Sequence, residues 1–274
     1  MSAGTRTVWL MKYAISIPPF TDPRTVVSMA VDAEAAGWDG VFLWDHLQWR
    51  PDVRPDVHDP WVLLGAIAQV TERVLIGTLV TPLSRRRPVV VAKHLTTLDH
   101  LSGGGRTMFS VGLGEPPVED FSAFGDESDP RTRGVMLDEA LAVLDGLLRG
   151  GPFSYEGKHY QADADLRPGP VTRPRPPIWV AGVVPNQRPL RRAESWDGVV
   201  PIGKGELLQP QQLADYLALG GERRAGWDVV SPWAPGVPAA EYADAGATWL
   251  FESTSPVDDW VEEFHSRLRR GPRS

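Results

Sequence analysis

Residues 42–49 read FLWDHLQW, an apolar run that delivers Asp45 and His46 side by side between Trp44 and Trp49. A carboxylate next to an imidazole can move protons. Indoles on either side can stack on a flat ligand. A second apolar run, TMFSVGLGE, ends in another acid, Glu115. A lone histidine at a strand end is more often a hydrogen-bonded structural residue, and an aspartate beside it can simply cap a loop. The repeated placement of acids at strand ends turns the reading toward general acid–base chemistry by Asp45, His46 and Glu115.

Other chemistries find less support. His58, Asp59, His94 and His100 add ligand types, but no histidine pair has the i, i+4 spacing of a helical zinc site, so no metal is expected. GLGE is not a Walker loop and GTLVTP is not a dinucleotide fingerprint. The cluster SRRRP, residues 84–88, reads equally well as a solvated loop or as a phosphate contact.

The elements that must position these groups alternate. Short β-branched runs (YAISIPP, GVFLWDH, RVLIGTLVTP, RTMFSVGLGE, IWVAGV, DGVVPIG, TWLFEST, and less clearly WDVVSPW) are separated by amphipathic stretches such as DPRTVVSMAVDAEAAG. Continuously apolar strands divided by helices imply a parallel sheet covered on both faces, and about eight such units fit a closed (β/α)8 barrel. The expected architecture is one TIM-barrel domain over residues 1–274 with a shortened seventh unit between Trp227 and Ala240. GPFSYEGKHYQ reads as a hairpin insert, and the proline-rich run 167–177 as a loop crossing the barrel rim. In such a barrel the active site gathers at the C-terminal ends of the strands, where Asp45, His46 and Glu115 lie.

Composition narrows the classes further. The chain has 28 Lys plus Arg against 35 Asp plus Glu, a formal charge of −7, which argues against nucleic acid and anionic membranes as partners. There is no cysteine, which excludes disulfides and thiolate chemistry. No window approaches the ~18 apolar residues of a membrane span, and no signal-peptide pattern opens the chain, so a soluble, cytoplasmic protein is expected. Eleven tryptophans against five tyrosines hint at stacking surfaces.

With these blocks assembled, the chain resembles the luciferase-like monooxygenase family, which groups bacterial luciferase with FMN- and coenzyme F420-dependent oxidoreductases. The resemblance is carried by AEAAGWDGVFLWDH, by VLIGTLVTPLSRRRPVVVAKHLTTLDHLSGGGRTMFSVGLGE, by GPFSYEGKHYQ and by RPPIWVAGV with the later RRAESWDGVVPIG. It implies a TIM barrel holding FMN or F420 at its mouth, acting on a small organic substrate. Asp45 and His46 would face the ring, with Glu115 as a second acid. Leu79–Val80 would form a bulge with a non-prolyl cis peptide backing the ring. Gly112 and Gly114 would form the fourth-strand loop, and backbone N–H groups at Ala181 and Gly182 would hold the cofactor phosphate, with Val183 where a second glycine is common. Trp44 and Trp49 would wall the substrate side. The resemblance also allows a homodimer paired through helices on the early strands.

Two alternatives stand beside this reading. One is a flavin-binding barrel that kept the fold and lost turnover; the other is a metal-dependent hydrolase on the same scaffold. Retained Asp45, His46 and Glu115 argue against the first, and ligand spacing against the second.

Overall fold

A computed structural model describes residues 11–50 and 52–272. Eight parallel strands close into a barrel: β1 (Lys12–Ile17), β2 (Gly40–Leu43), β3 (Leu75–Pro82), β4 (Thr107–Gly112), β7 (Ile178–Val183), β8 (Gly198–Ile202), β9 (Asp228–Pro232) and β10 (Trp249–Glu252). β5 (Pro152–Glu156) and β6 (Gln161–Asp165) form the antiparallel hairpin expected of GPFSYEGKHYQ. The barrel closes where Lys12 to Ile15 of β1 pair in register with Trp249 to Glu252 of β10. Each barrel strand is followed by a helix: α1 (Pro23–Ala35), α2 (Pro60–Val70), α3 (Pro88–Leu101), α4 (Pro130–Arg149), α5 (Gln187–Ala193), α6 (Pro210–Leu217), α7 (Ala239–Asp244) and α8 (Trp260–Arg269).

The helix starts follow from local chemistry. Asp-Pro steps open α1, α2 and α4; the carboxylates of Asp22, Asp59 and Asp129 accept from first-turn N–H groups, and the proline supplies a fixed φ without a wasted donor. The seventh unit is present, with β9 in the doubtful WDVVSPW stretch, and α7 is the shortest α-helix described. The proline-rich run 167–177 differs from the expectation of a rim crossing. It feeds the N-terminal end of β7, opposite the mouth, and is tied to the end of α3 where Thr172 donates to Asp99 through its N–H and hydroxyl, both at 2.7 Å.

The barrel interior is filled from below. Phe42, Trp179 and Trp249 meet edge to face, with ring centroids 5.5 to 6.4 Å apart. Both indoles donate to Asp228, at 3.1 and 3.2 Å, so each buried N–H is satisfied. Burial raises the Asp228 pKa despite these donors. Nearer the strand C-termini the interior residues are Leu79, Ala181, Val200 and Val230. Bulk at the bottom and smaller groups above leave the mouth as the open end.

β3 carries the one irregularity of the wall. Its register against β4 shifts between Thr78 and Thr81, and the Leu79–Val80 peptide is cis, as the resemblance implied. Below this bulge, Gly77 sits so close to β4 that a Cβ there would lie 1.8 Å from the Met108 carbonyl oxygen. Among the described residues no helix is long and apolar enough to cross a membrane.

Two glycines give a paired test of this packing. Gly77→Ala must push two strands apart and is expected to destabilise by about 3 kcal/mol or more. Gly65→Ala, within α2 and no nearer than 4.0 Å to Leu101 Cδ1, is expected to stabilise by about 0.5–1 kcal/mol. Urea unfolding midpoints of the two variants check both signs.

Candidate active site

β2 ends at Leu43, and the next residues turn across the mouth. Trp44 is anchored by its indole N–H, which donates to Ser16 Oγ on β1 at 2.9 Å. His46 Nδ1 lies 2.7 Å from Asp120 Oδ2. A carboxylate only accepts, so Nδ1 carries the hydrogen, and Nε2 is left with its lone pair in the neutral ring. The other Asp120 oxygen accepts from the N–H groups of Leu47 and Gln48 at 2.8 and 3.0 Å, fixing the backbone beyond the histidine. Asp120 is fully buried, and the His46 side chain keeps 16% exposure. Phe20, Trp44 and Trp49 surround the imidazole, with Trp49 nearest at 4.8 Å between centroids.

Asp120 is itself held by its loop. Arg133, buried in α4, donates through Nη1 to the carbonyls of Leu113 and Gly114, both at 2.9 Å, and lies 4.2 Å from the Phe121 ring. The segment between β4 and Phe121 is thereby pinned from outside the barrel.

Asp45 does not do what its place beside His46 suggested. It is buried and turned away, into an ion cluster with the arginines of SRRRP. Arg86 grips both carboxylate oxygens at 2.6 and 2.8 Å, while Arg85 reaches Asp45 Oδ1 at 3.2 Å and its carbonyl oxygen at 2.7 Å. The Thr81 hydroxyl donates to the same carboxylate at 2.8 Å. Burial alone would raise the Asp45 pKa, but the Arg86 and Arg85 charges outweigh it and hold the carboxyl below its ordinary value. The orienting of His46 therefore falls to Asp120. Arg85 and Arg86 are also neither solvated nor free for a phosphate; of the three arginines only Arg87 is exposed.

The remaining expected residues divide. Leu79, Val80, Trp44 and Ser16 line a mouth cavity of about 360 Å³ with Val200 and Ile202. Trp44 and Trp49 line an adjoining cavity of about 390 Å³ with Phe251 and Trp233. Gly112 faces the interior, since a Cβ there would meet Val80 Cγ1 at 3.0 Å. Gly114 has φ +82° and packs on Pro82 and Phe121, which a side chain would displace. Glu115 is exposed, and no hydrogen bond links it to His46 or Asp120. Ala181 lies in the interior cluster. Gly182 is a glycine for packing, because a Cβ would fall 2.1 Å from Pro189 Cβ on α5. The amides that follow are spent: Val184 N–H donates to Ile202 O and Asn186 N–H to Val183 O, both at 2.9 Å. Gly182 and these two amides thus give a phosphate no cradle. Among the described residues no three His, Cys, Asp or Glu side chains could hold a metal, and His94 stacks on Trp61 instead.

Asp120, Arg133 and the partners of Asp45 escaped the sequence reading. Asp120 lies 74 residues from His46, in PPVEDFSAFG, with no spacing that ties the two together. The Asp45 cluster makes a pH-dependent prediction. A folded-state pKa held below the unfolded value adds stability that is complete above the unfolded value, about 3.9, and is lost as pH falls toward the folded value. Asp45→Asn leaves two buried guanidinium groups short of a charge and should cost about 3 kcal/mol at neutral pH. The gap to wild type should narrow below about pH 4, as read by denaturant unfolding across pH.

Comparison with known proteins agrees with this architecture. A family model described as luciferase-like monooxygenase matches residues 5–235. An F420-dependent glucose-6-phosphate dehydrogenase of Beutenbergia cavernae is 37% identical over 204 residues, covering 72% of this chain and 58% of that protein. The corresponding protein of Gordonia bronchialis is 32% identical over 208 residues, covering 74% and 60%. The chain therefore spans a little under two thirds of the length of these relatives. Among solved structures, an F420-dependent secondary alcohol dehydrogenase in complex with an F420–acetone adduct superposes with a TM-score of 0.75 at 18% identity, over 93% of this chain and 97% of that one. The F420-dependent tetrahydromethanopterin reductase of Methanopyrus kandleri gives 0.72 at 16% identity, over 95% and 98%. At these identities the superpositions speak for the barrel alone, and it is the match over residues 5–235 that makes this chain a member of the luciferase-like monooxygenase family.

Proposed function

We propose that this protein is an oxidoreductase that binds coenzyme F420, with FMN as the other candidate, and acts on a small organic substrate. The observation that carries the reading is the His46–Asp120 pair, set against the indoles that wall the mouth. When bound, the cofactor supplies the redox chemistry. His46 Nε2 takes or returns the substrate's proton, and Asp120 holds the ring in the tautomer that leaves Nε2 able to accept. Trp44 and Trp49 shield that exchange from water. Acid–base work is assigned to His46 alone, not to Asp45 or Glu115.

The chain's residues fit a flat cofactor at its ring. The 360 Å³ cavity has an apolar floor of Leu79, Val80, Val200 and Ile202, suited to a tricyclic face. The neighbouring groove beside α6 is lined by Lys204 together with Glu206 and Asp215, so it offers the cofactor's anionic part no net positive charge. F420 is preferred to FMN because the curated relatives quoted above are named for F420.

A second copy of the chain is the assembly we favour. α2 contains no charged residue, and Val62, Ala66 and Val70 recur at helical spacing on its outer side, Val62 being 75% exposed. A pair of chains would cover this stripe. Val62→Lys should shift the sedimentation coefficient from dimer to monomer; a wild type that sediments as a monomer rejects the pairing.

The enzymatic reading is tested with purified protein. F420 should bind with quenching of its fluorescence, and failure of both F420 and FMN to bind would overturn the proposal. His46→Ala should lower turnover by roughly 10²–10⁴-fold with little change in unfolding midpoint. Asp120→Asn can present an amide N–H to Nδ1 and so invert the tautomer. It should lower kcat about 10²-fold and alter the pH profile, while cofactor affinity stays close to wild type.

A further inference from the structure

The two mouth cavities share Trp44, Leu207, Pro232, Phe251 and Ser253, so they are neighbouring chambers of one opening. If the inner chamber takes the cofactor ring, as proposed above, the outer one is left for the substrate. Its chemistry can be read from what its walls still have to offer.

Charge comes first. Among the described residues lining the two chambers only Glu206, Glu252 and Arg267 are charged, two carboxylates against one guanidinium. That guanidinium is engaged: Arg267 Nε stands 3.4 Å from Glu252 Oε2, and Nη2 donates to the Ser253 carbonyl at 2.8 Å. A phosphate dianion is bound by several charge-assisted donors, usually from arginine or lysine. Here it would find no uncommitted cation: in the outer chamber Arg267 is balanced by Glu252, and the inner chamber adds only a carboxylate, Glu206.

Most neutral polar groups are also engaged, and Trp49 Nε1 is a buried donor without a partner, one hydrogen bond for a single hydroxyl or carbonyl oxygen. Ser253 Oγ donates to the Ser16 carbonyl at 2.8 Å, Trp44 Nε1 to Ser16 Oγ at 2.9 Å, and Trp233 Nε1 to the Val237 carbonyl at 2.9 Å. Trp44 and Trp233 thus offer the chamber ring surface and no hydrogen bond. Pro232, Pro235, Leu207 and Phe251 extend that apolar surface. A polyhydroxylated sugar would lose its hydration here and find few partners in return.

We infer that the outer chamber selects a neutral, largely apolar alcohol or carbonyl compound, and rejects sugar phosphates of the kind that name the curated relatives. The inference rests on the cofactor reading, since that reading assigns the inner chamber. The binding experiment is designed to separate the two.

Calorimetric titrations of the whole protein, with and without F420, use menthol and glucose 6-phosphate as probes, and F420 is titrated separately. Menthol should bind at least tenfold more tightly than glucose 6-phosphate. Its affinity should be nearly the same at about 0.05 and 0.5 M salt, because no ion pair to the ligand is screened. Trp49→Ala should weaken menthol about tenfold or more while leaving F420 affinity near wild type. Pro235→Asp, at a residue that lines the outer chamber and not the inner one, provides a second lesion in the same wall if Trp49→Ala does not fold. Equal or tighter binding of glucose 6-phosphate, or no menthol binding in either state, overturns the inference. F420 binding without menthol binding defeats the substrate class alone. Menthol binding without F420 binding upholds the chamber's chemistry and defeats the cofactor assignment.

Discussion

The carboxylate of Asp45, enclosed by Arg85 and Arg86, is the interaction on which the mouth depends. It ties the turn after β2 to the turn after β3, two segments 40 residues apart that must meet for the barrel wall to end cleanly. Isolated, any of these charges would be intolerable in the interior; together, with Thr81 donating, they satisfy one another. Arg85 also stands 3.9 Å from Asp120, so the cluster reaches the group that orients His46. The two carboxylates differ in what they leave available. Asp45 is consumed by cations, whereas Asp120 has a histidine as its side-chain hydrogen-bond partner.

The distribution of aromatic mass follows the same axis. Trp179 and Trp249 plug the lower barrel, and their N–H groups meet Asp228. Trp44 and Trp49 stand at the opposite end, beside His46. One residue type thus does two jobs, rigid filler where no ligand goes and stacking surface where one could. The surplus of tryptophan in the composition could not separate these roles, because the separation comes from strand position.

The fold was legible because its signals are local and repeated. Asp-Pro steps, apolar runs and amphipathic intervals recur around the barrel, and each unit needs only its neighbours to be recognised. The hairpin and the shortened seventh unit were legible for the same reason. The site was legible only in part. WDH marked the right strand end, but adjacent residues on an extended chain point to opposite sides, so Asp45 and His46 had to face different environments. Which carboxylate would serve the histidine depended on a loop 74 residues away. Gly182 misled for a related reason: a motif position that suggested space for an anion is occupied by Pro189, and the contact between strand and helix cannot be read along one strand.

These contacts make the histidine's chemistry a property of the fourth unit as much as of the second. Arg133, on α4, fixes the carbonyls of Leu113 and Gly114; that fixes the path of the loop, and the loop carries Asp120 to Nδ1. Each step uses a buried polar group with a defined partner, and buried hydrogen bonds are costly to leave unmade. Sliding the loop would strand three donors at once, the ring N–H and the amides of Leu47 and Gln48. The imidazole is therefore held by a shared carboxylate, not by its own strand. Its orientation survives changes in the mouth walls as long as that carboxylate stays in place. Such an arrangement lets the walls vary while the imidazole, to which we assign proton transfer, stays put.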